Sequence, residues 1–301
     1  MKEVVPNYYH KFKCIAERCT HSCCIGWEID IDEDTMDYYS SLDTPLGERI
    51  RANIAEGHFI LGVGERCPFL NKNGLCDIIC ECGEDALCDI CTLHPRFRNF
   101  YASFYETGLG LCCEEAARII LSEKEKFSVI LPDDIDISEE ETEFFEERER
   151  IFSVLQDREK MIGERLSTLA NLYGLRFDYS ISELCDLYIS LERLDESWTD
   201  ELVRLKNFSF DKKIFDDEEL QVPFEQLAAY FIFRHLEGAM WDGDYTARVN
   251  FALMGCYLIG ALMQEYKTRC GAVGIENMVD LVRMYSSEVE YSEENLEILL
   301  S

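Results

Sequence analysis

The clearest periodic signal lies in the second half of the chain. Phe144, Phe145, Ile151, Phe152, Leu155, Ile162, Leu166, Leu169 and Leu172 recur at helical spacing, and Gly174 follows as a helix stop. Ahead of this run, Ser138 and Glu141 fit a capping box, and the acids around them suit the positive end of a helix. The same spacing predicts helices over 180–194, 195–208, 222–241, 243–267, 274–286 and 292–300. This part reads as an α-helical bundle. Residues 1–121 differ: turns such as "TPLGER", "NKNGLC", "ECGED" and "LHPRF" interrupt them, and long periodic stretches are few. The change falls near 132, where "LPDDIDISEEETEFFEERER", with Asp133, Asp134 and a run of glutamates, reads as a linker turning into a helix. The expected fold is mainly α: an irregular cysteine-rich metal-binding domain over 1–131, then an α-helical domain over 132–301.

The longest apolar run, "VNFALMGCYLIGALM" at 249–263, contains Asn250 and falls short of the roughly 18–20 residues that a membrane span needs. It reads as a buried helix, and no membrane span is expected. "MKEVVPNYYHKF" shows no charged leader followed by an apolar stretch, so a cytoplasmic, reducing setting is expected.

Composition sharpens this picture. The formal charge of −31 over 301 residues argues against nucleic acid as a partner, because duplex binding rests on neutralising phosphates with lysine and arginine. It confers solubility and suits a cationic, lysine-bearing protein partner. Fifteen cysteines are present, twelve of them within the first 113 residues. In a reducing compartment, such a scaffold is held by metal rather than by disulfides.

The cysteines fall in close groups: "CIAERCTHSCC" (Cys14, Cys19, Cys23, Cys24), "RCPFLNKNGLC" (Cys67, Cys76), "CEC" (Cys80, Cys82), "CDIC" (Cys88, Cys91) and "LCCEE" (Cys112, Cys113). "CDICTLHPRF" is the strongest element: two thiolates one turn apart converge, and Pro95 fixes the exit of the chain. Zinc and an iron–sulfur cluster each take about four such ligands. With His94 as the nearby imidazole, the set leans toward soft thiolate ligation without deciding between them. Incidental thiols and a redox C-x-x-C are the other readings. Neighbouring side chains diverge in extended backbone, so at most one of Cys23 and Cys24 is expected to bind a given centre directly. No C-x3-C-x2-C occurs, so the usual ligand spacing of radical S-adenosylmethionine enzymes is absent.

Other motifs are weak. "YETGLGLCCEEAARIIL" places Gly108 and Gly110 as in a nucleotide-binding turn, but the third glycine is missing. No G-x-S-x-G, P-loop or H-E-x-x-H is present. "GAMWDGDYTARVNF" reads as a Gly243 hinge between two helices with Asp244 as N-cap. Its functional reading is a lip of Trp241, Asp242 and Asp244 that holds a lysine by cation–π contact and charge. His235 and Cys256 read as core residues.

Taken together, "VPNYYHKFKCIAERCTHSCCIGWEIDID", "CPFLNKNGLCDI", "LCDICTLHPRF", "GLGLCCEEAARIIL", "LDESWTDELVRL" and "WDGDYTARVNFA" resemble the flagellin lysine-N-methylases, over stretches spread across most of the chain. The N-terminal part is also similar to cysteine-rich zinc- or iron-chelating proteins. Position by position, the resemblance covers Cys14, Cys19, Cys23, Cys24, Cys67, Cys76, Cys88, Cys91 and Cys113; Cys80, Cys82 and Cys112 are extras of this chain. It implies methyl transfer from S-adenosylmethionine to lysine amines of flagellin, with an iron–sulfur cluster of the four-iron, four-sulfur type, zinc being the alternative. A lysine must be neutral to attack a methyl sulfonium, so the site must lower its pKa or accept its proton. The amine and methyl carbon must also lie about 3 Å apart. Asp30, Asp242 and Asp244 are the candidate catalytic carboxylates. The rival reading is a non-catalytic metal-chelating adaptor or a redox protein.

Overall fold

The computed structural model describes residues 1–132 and 134–300, so Asp133 of the acidic run lies outside the described residues. In chain order the elements are β1 (Lys2–Val4), α1 (Glu33–Ser41), α2 (Pro45–Ala52), β2 (Ile54–Ala55), β3 (His58–Phe59), α3 (Asp77–Cys82), α4 (Asp89–Leu93), β4 (Arg96–Phe100), β5 (Phe104–Leu109) and α5 (Glu114–Leu121). There follow α6 (Glu139–Leu155), α7 (Ile162–Leu172), α8 (Ile181–Ser190), α9 (Glu196–Leu205), α10 (Gln221–His235), α11 (Ala239–Asp242), α12 (Tyr245–Cys270), α13 (Ile275–Tyr285) and α14 (Glu293–Leu299). The protein is mainly α, as its apolar spacing predicts.

The chain forms two compact units. The larger comprises Met1–Phe12, Phe97–Cys112 and the chain from Ala116 onward; the smaller comprises Lys13–Arg96 and Cys113–Glu115. The packing therefore does not divide at the expected 131–132 boundary. The reason is a small sheet in the order β1-β5-β4, in which β1 runs parallel to β5 with Lys2 opposite Phe104 and Val4 opposite Glu106. Side chains complete the attachment: Asn99 Nδ2 donates to the Phe233 carbonyl at 2.8 Å, and the Ala102 N–H donates to Glu141 at 2.7 Å. Strands this short carry no periodic signature.

In the larger unit, α10 and α12 pack on each other at the centre. Every residue from Pro223 to Phe233 is buried, and so is most of α12 from Arg248 to Met263. Helices apolar on all sides belong in a core. Among the described residues, α12 alone is long and apolar enough to cross a membrane, and its most apolar window is 83% buried inside the fold, which fits a core helix. The capping box forms as predicted: Ser138 Oγ accepts the Glu141 N–H at 3.1 Å, and Glu141 Oε2 accepts the Ser138 N–H at 2.8 Å. The apolar run up to Leu172 is two helices, α6 and α7, because the chain turns where Lys160 N–H bonds the Asp157 carbonyl. After α11, Gly243 takes a left-handed φ of 74°, and Asp244 accepts the Ala247 N–H at 2.9 Å to start α12. The hinge between two helices is thus observed.

In the smaller unit, Asp32 caps α1 by accepting the Thr35 N–H at 2.9 Å. Thr44 caps α2 with Pro45 in its first turn. The two-residue strands β2 and β3 pair antiparallel, Ile54 with Phe59 and Ala55 with His58. The core contains Tyr39, Leu46, Ile50, Phe59, Phe69 and Ile78, and two of its buried members are thiols, Cys67 and Cys88.

Candidate metal centre

The cysteines are present as thiols. Residues 22–25 form a turn, in which the Ile25 N–H donates to the Ser22 carbonyl at 3.1 Å and the Cys24 N–H to Ser22 Oγ at 3.3 Å. This turn sets the Cys23 and Cys24 thiols close enough for each to shift the other's proton affinity. The divergence expected of neighbouring side chains presupposes extended backbone, and this segment is bent. The Cys24 carbonyl accepts the Cys67 N–H at 2.9 Å, which ties "SCC" to "RCPF".

The other thiols are presented at helix starts. Cys76 sits at the N-cap of α3, and Cys88 at the N-cap of α4, one turn before Cys91. The Cys88 and Cys91 thiols likewise shift each other's proton affinity. Cys24, Cys76, Cys82 and Cys91 pack against the core that holds Cys67 and Cys88, whereas Cys80 is exposed. Cys91 feels the charge of Cys88, Cys24 and Cys23, so the two pairs are electrostatic neighbours.

A second group lies around Glu114. Its carboxylate accepts the backbone N–H of Thr20 at 3.1 Å and of His21 at 2.9 Å, and His21 Nδ1 lies 3.1 Å away. That clamp sets Cys19 near Cys113 and Cys14, and burial with these negative neighbours and Glu114 pushes the Cys19 thiol up to about 12. Cys23 senses Cys14 and Cys113 on one side and Cys24 on the other. The nine cysteines of the resemblance thus form one continuous field, with Cys23 and Cys24 at its junction. Nothing in the spacing of Glu114 marks its role as a clamp.

In each pair one thiol is held down and the other up. Hydrogen bonding from Cys23, then Ser22 and the Arg66 charge, lower Cys24 against the effect of burial, while Cys23 is raised. Cys88 is lowered by the Cys91 thiol and by backbone N–H groups, and Cys91 is raised. His94, half-buried, is pushed down to about 4 by desolvation and the Arg96 charge, which keeps it neutral. Among the described residues no three thiols bring their sulfurs within 4.8 Å of one another. Tetrahedral zinc, with Zn–S of about 2.3 Å, would set four sulfurs at roughly 3.8 Å. Cys23 with Cys24 and Cys88 with Cys91 each offer two neighbouring donors, and the all-sulfur donor set fits a thiolate-ligated group.

Similarity to known proteins bears on what such a site serves. The chain is 29% identical over 147 residues to a lysine-N-methylase of Salmonella typhimurium and, equally, to one of Salmonella choleraesuis. It is 27% identical over 142 residues to the flagellar biosynthetic protein FliU of Salmonella muenchen, covering 84% of that protein. They bear out the resemblance to the flagellin lysine-N-methylases. Each match takes in 43% of this chain, less than the spread of the resembling stretches, and the chain spans about a third of the length of the two lysine-N-methylases. No family model and no solved structure matches.

The candidate carboxylates lie in different settings. Asp30 stands 4.0 Å from His58 Nδ1, which is itself 3.4 Å from Glu28. Asp242 pairs with Arg248 at 2.6 Å and accepts the Asp244 N–H at 2.9 Å, while Asp244 caps α12. These two are occupied in holding the hinge, and Trp241, 77% exposed, donates its indole N–H to Glu237 at 3.0 Å. Gly108 lies inside β5 against Phe97 and Phe233, a close-packing position rather than a phosphate turn.

Proposed function

We propose that this chain acts in the methylation of protein lysines, with flagellin as the substrate, S-adenosylmethionine as the methyl donor and a thiolate-held metal group as part of its structure. The similarity to two lysine-N-methylases and to a flagellar protein carries this reading. Supporting it are the acidic surface charge, which attracts a lysine-bearing partner, and the thiol field of the smaller unit. Cys23, Cys24, Cys88 and Cys91 are the first four ligands, being two pairs of neighbours that sense one another's charge; Cys67 and Cys76 stand beside them. An iron–sulfur cluster held there would supply redox or Lewis-acid chemistry, and zinc a structural anchor. A reducing, cytoplasmic setting would keep the thiols available.

The chain's own residues must gather a lysine ammonium, remove its proton and hold the amine in line with the methyl carbon. Carboxylates do the first and can do the second. The rival reading, a non-catalytic chelating adaptor or redox protein, is favoured by one observation: Gly108 serves packing, so no recognisable cofactor loop is left.

The test is anaerobic purification, with metal analysis and visible absorption, followed by incubation with labelled S-adenosylmethionine and flagellin. Label on flagellin that depends on the intact metal group is the expected result. A chain that binds metal but neither binds the donor nor labels flagellin is the adaptor.

A further inference from the structure

The smaller unit carries a cavity of about 480 Å³ that contains no cysteine in its lining. One wall is apolar, formed by Phe59, Ile60 and Leu61, and the rest carries Glu28, Glu65 and His58. Backbone bonds build it from three segments. Phe59 N–H donates to the Ile29 carbonyl at 3.1 Å, Ile31 N–H to Gly57 at 2.8 Å and Gly26 N–H to Glu65 at 3.0 Å. Glu28 and Asp30, two residues apart on an extended stretch, share one face. His58 Nδ1 faces both, at 3.4 and 4.0 Å. A Cβ built on Gly26 would stand 3.8 Å from Glu65 Oε2, so that carboxylate overhangs the Gly26 end. Glu56 and Glu65 hold left-handed φ angles of 52° and 55°, a strained conformation for side-chain-bearing residues that gathers at binding sites.

His58 is the one basic side chain in the lining of this cavity. Among the described residues, no lysine or arginine pairs with Glu28, Asp30 or Glu65. Ile60 is 47% exposed and Val63 wholly so, leaving apolar surface at the rim. An acidic end that outnumbers its one histidine, beside an apolar wall, is complementary to a long aliphatic stem that ends in a cation.

We propose that this cavity receives the lysine side chain of a protein substrate, its stem along Phe59, Ile60 and Leu61 and its ammonium among Glu28, Asp30 and Glu65. The assignment rests on the lysine-methylation reading for the identity of the cation, and extends it to a place. It also gives Asp30 a binding role in company that its sequence position does not announce.

The test uses the full chain and short fluorescein-labelled peptides that carry one lysine or, in its place, norleucine, read by fluorescence anisotropy. The lysine peptide binds more tightly than the norleucine peptide, and Glu28→Gln with Glu65→Gln, both exposed positions, weakens the lysine peptide by about tenfold or more while leaving the norleucine peptide unchanged. Ile60→Ser with Leu61→Ser weakens both. Equal binding of the two peptides, or lysine binding unaltered by the double glutamine variant, overturns the proposal. So does a manganese titration in which the wild type holds an ion that the variant loses, without lysine-dependent peptide binding. Methyl transfer to flagellin with unchanged KM in the double glutamine variant removes the cavity's role and leaves the methylation standing. Lysine-dependent, carboxylate-dependent peptide binding without methyl transfer upholds the cavity and removes the methylation.

Discussion

Glu106 and Arg148 form a buried ion pair in which two guanidinium nitrogens each donate to a separate carboxylate oxygen at 2.7 Å. Their side chains are 0% and 5% exposed, and Tyr101 adds its hydroxyl to the same carboxylate at 3.0 Å. Burial works against the Arg148 charge, and the Glu106 carboxylate outweighs it, so the guanidinium is held up. The pair fastens β5 to α6. Replacing Arg148 with Met strands the Glu106 charge in the interior, and a loss of about 3–5 kcal/mol is expected. Replacing both partners by apolar residues should cost much less. Urea unfolding midpoints of the single and double variants check this.

A second buried group makes stability depend on pH. Glu290 receives His235 Nε2 at 2.6 Å and the Tyr230 hydroxyl at 2.9 Å, with Arg234 beside them. Burial lowers the pKa of His235 despite the hydrogen bond to Glu290, and the Arg234 and Arg248 charges act in the same direction. Burial would raise Glu290, but Arg234 and His235 outweigh it and the carboxylate is lowered. The folded chain therefore binds fewer protons than the unfolded chain at both groups. Stability is full above the unfolded values and falls as acid is added, first from about pH 6.5 through the histidine and then below about pH 4.3 through the glutamate. In His235→Gln the upper part of this loss should shrink relative to wild type. Urea midpoints between neutral and mildly acid pH measure the difference.

Gly108 gives a packing test. A Cβ there would reach 2.8 Å from the Phe233 ring and overlap Phe97. Gly108→Ala is expected to cost about 1–3 kcal/mol, seen as a lower Tm. Nucleotides should change the Tm of neither form, since the glycine serves packing and not a phosphate.

What was legible in the sequence is what depends on neighbours along the chain. The helical spacing from Phe144 onward, the Ser138–Glu141 box and the Gly243–Asp244 hinge are local, and they appear as read. The pairing of β1 with β5 is not local, and through it residues 1–12 and 97–112 pack in one unit with the chain from Ala116 onward. The bend at Cys23 and Cys24 hangs on one Ser22 turn, and the Glu114 clamp joins residues far apart in sequence. Glu28 and His58 lie on different segments, and only the pairing of 29–31 with 57–59 brings them together.

The thiol field yields the last expectation. If Cys23, Cys24, Cys88 and Cys91 hold the metal, serine at any one of them removes most of the bound metal, whereas Cys80→Ser, at an exposed position on α3, retains it. Glu114 touches no metal in this reading; it orders the Cys19 segment through Thr20 and His21, so Glu114→Ala weakens metal affinity by about 10–100-fold without removing a donor. Metal per chain, measured by elemental analysis after gel filtration against a graded chelator, separates these classes. Retention in Cys91→Ser together with loss in Cys67→Ser or Cys76→Ser would move the ligand set to the buried side of the field. Because metal binding contributes folding free energy, stripping the wild type should open residues 13–96 to proteolysis before the helices from Glu139 onward are cut.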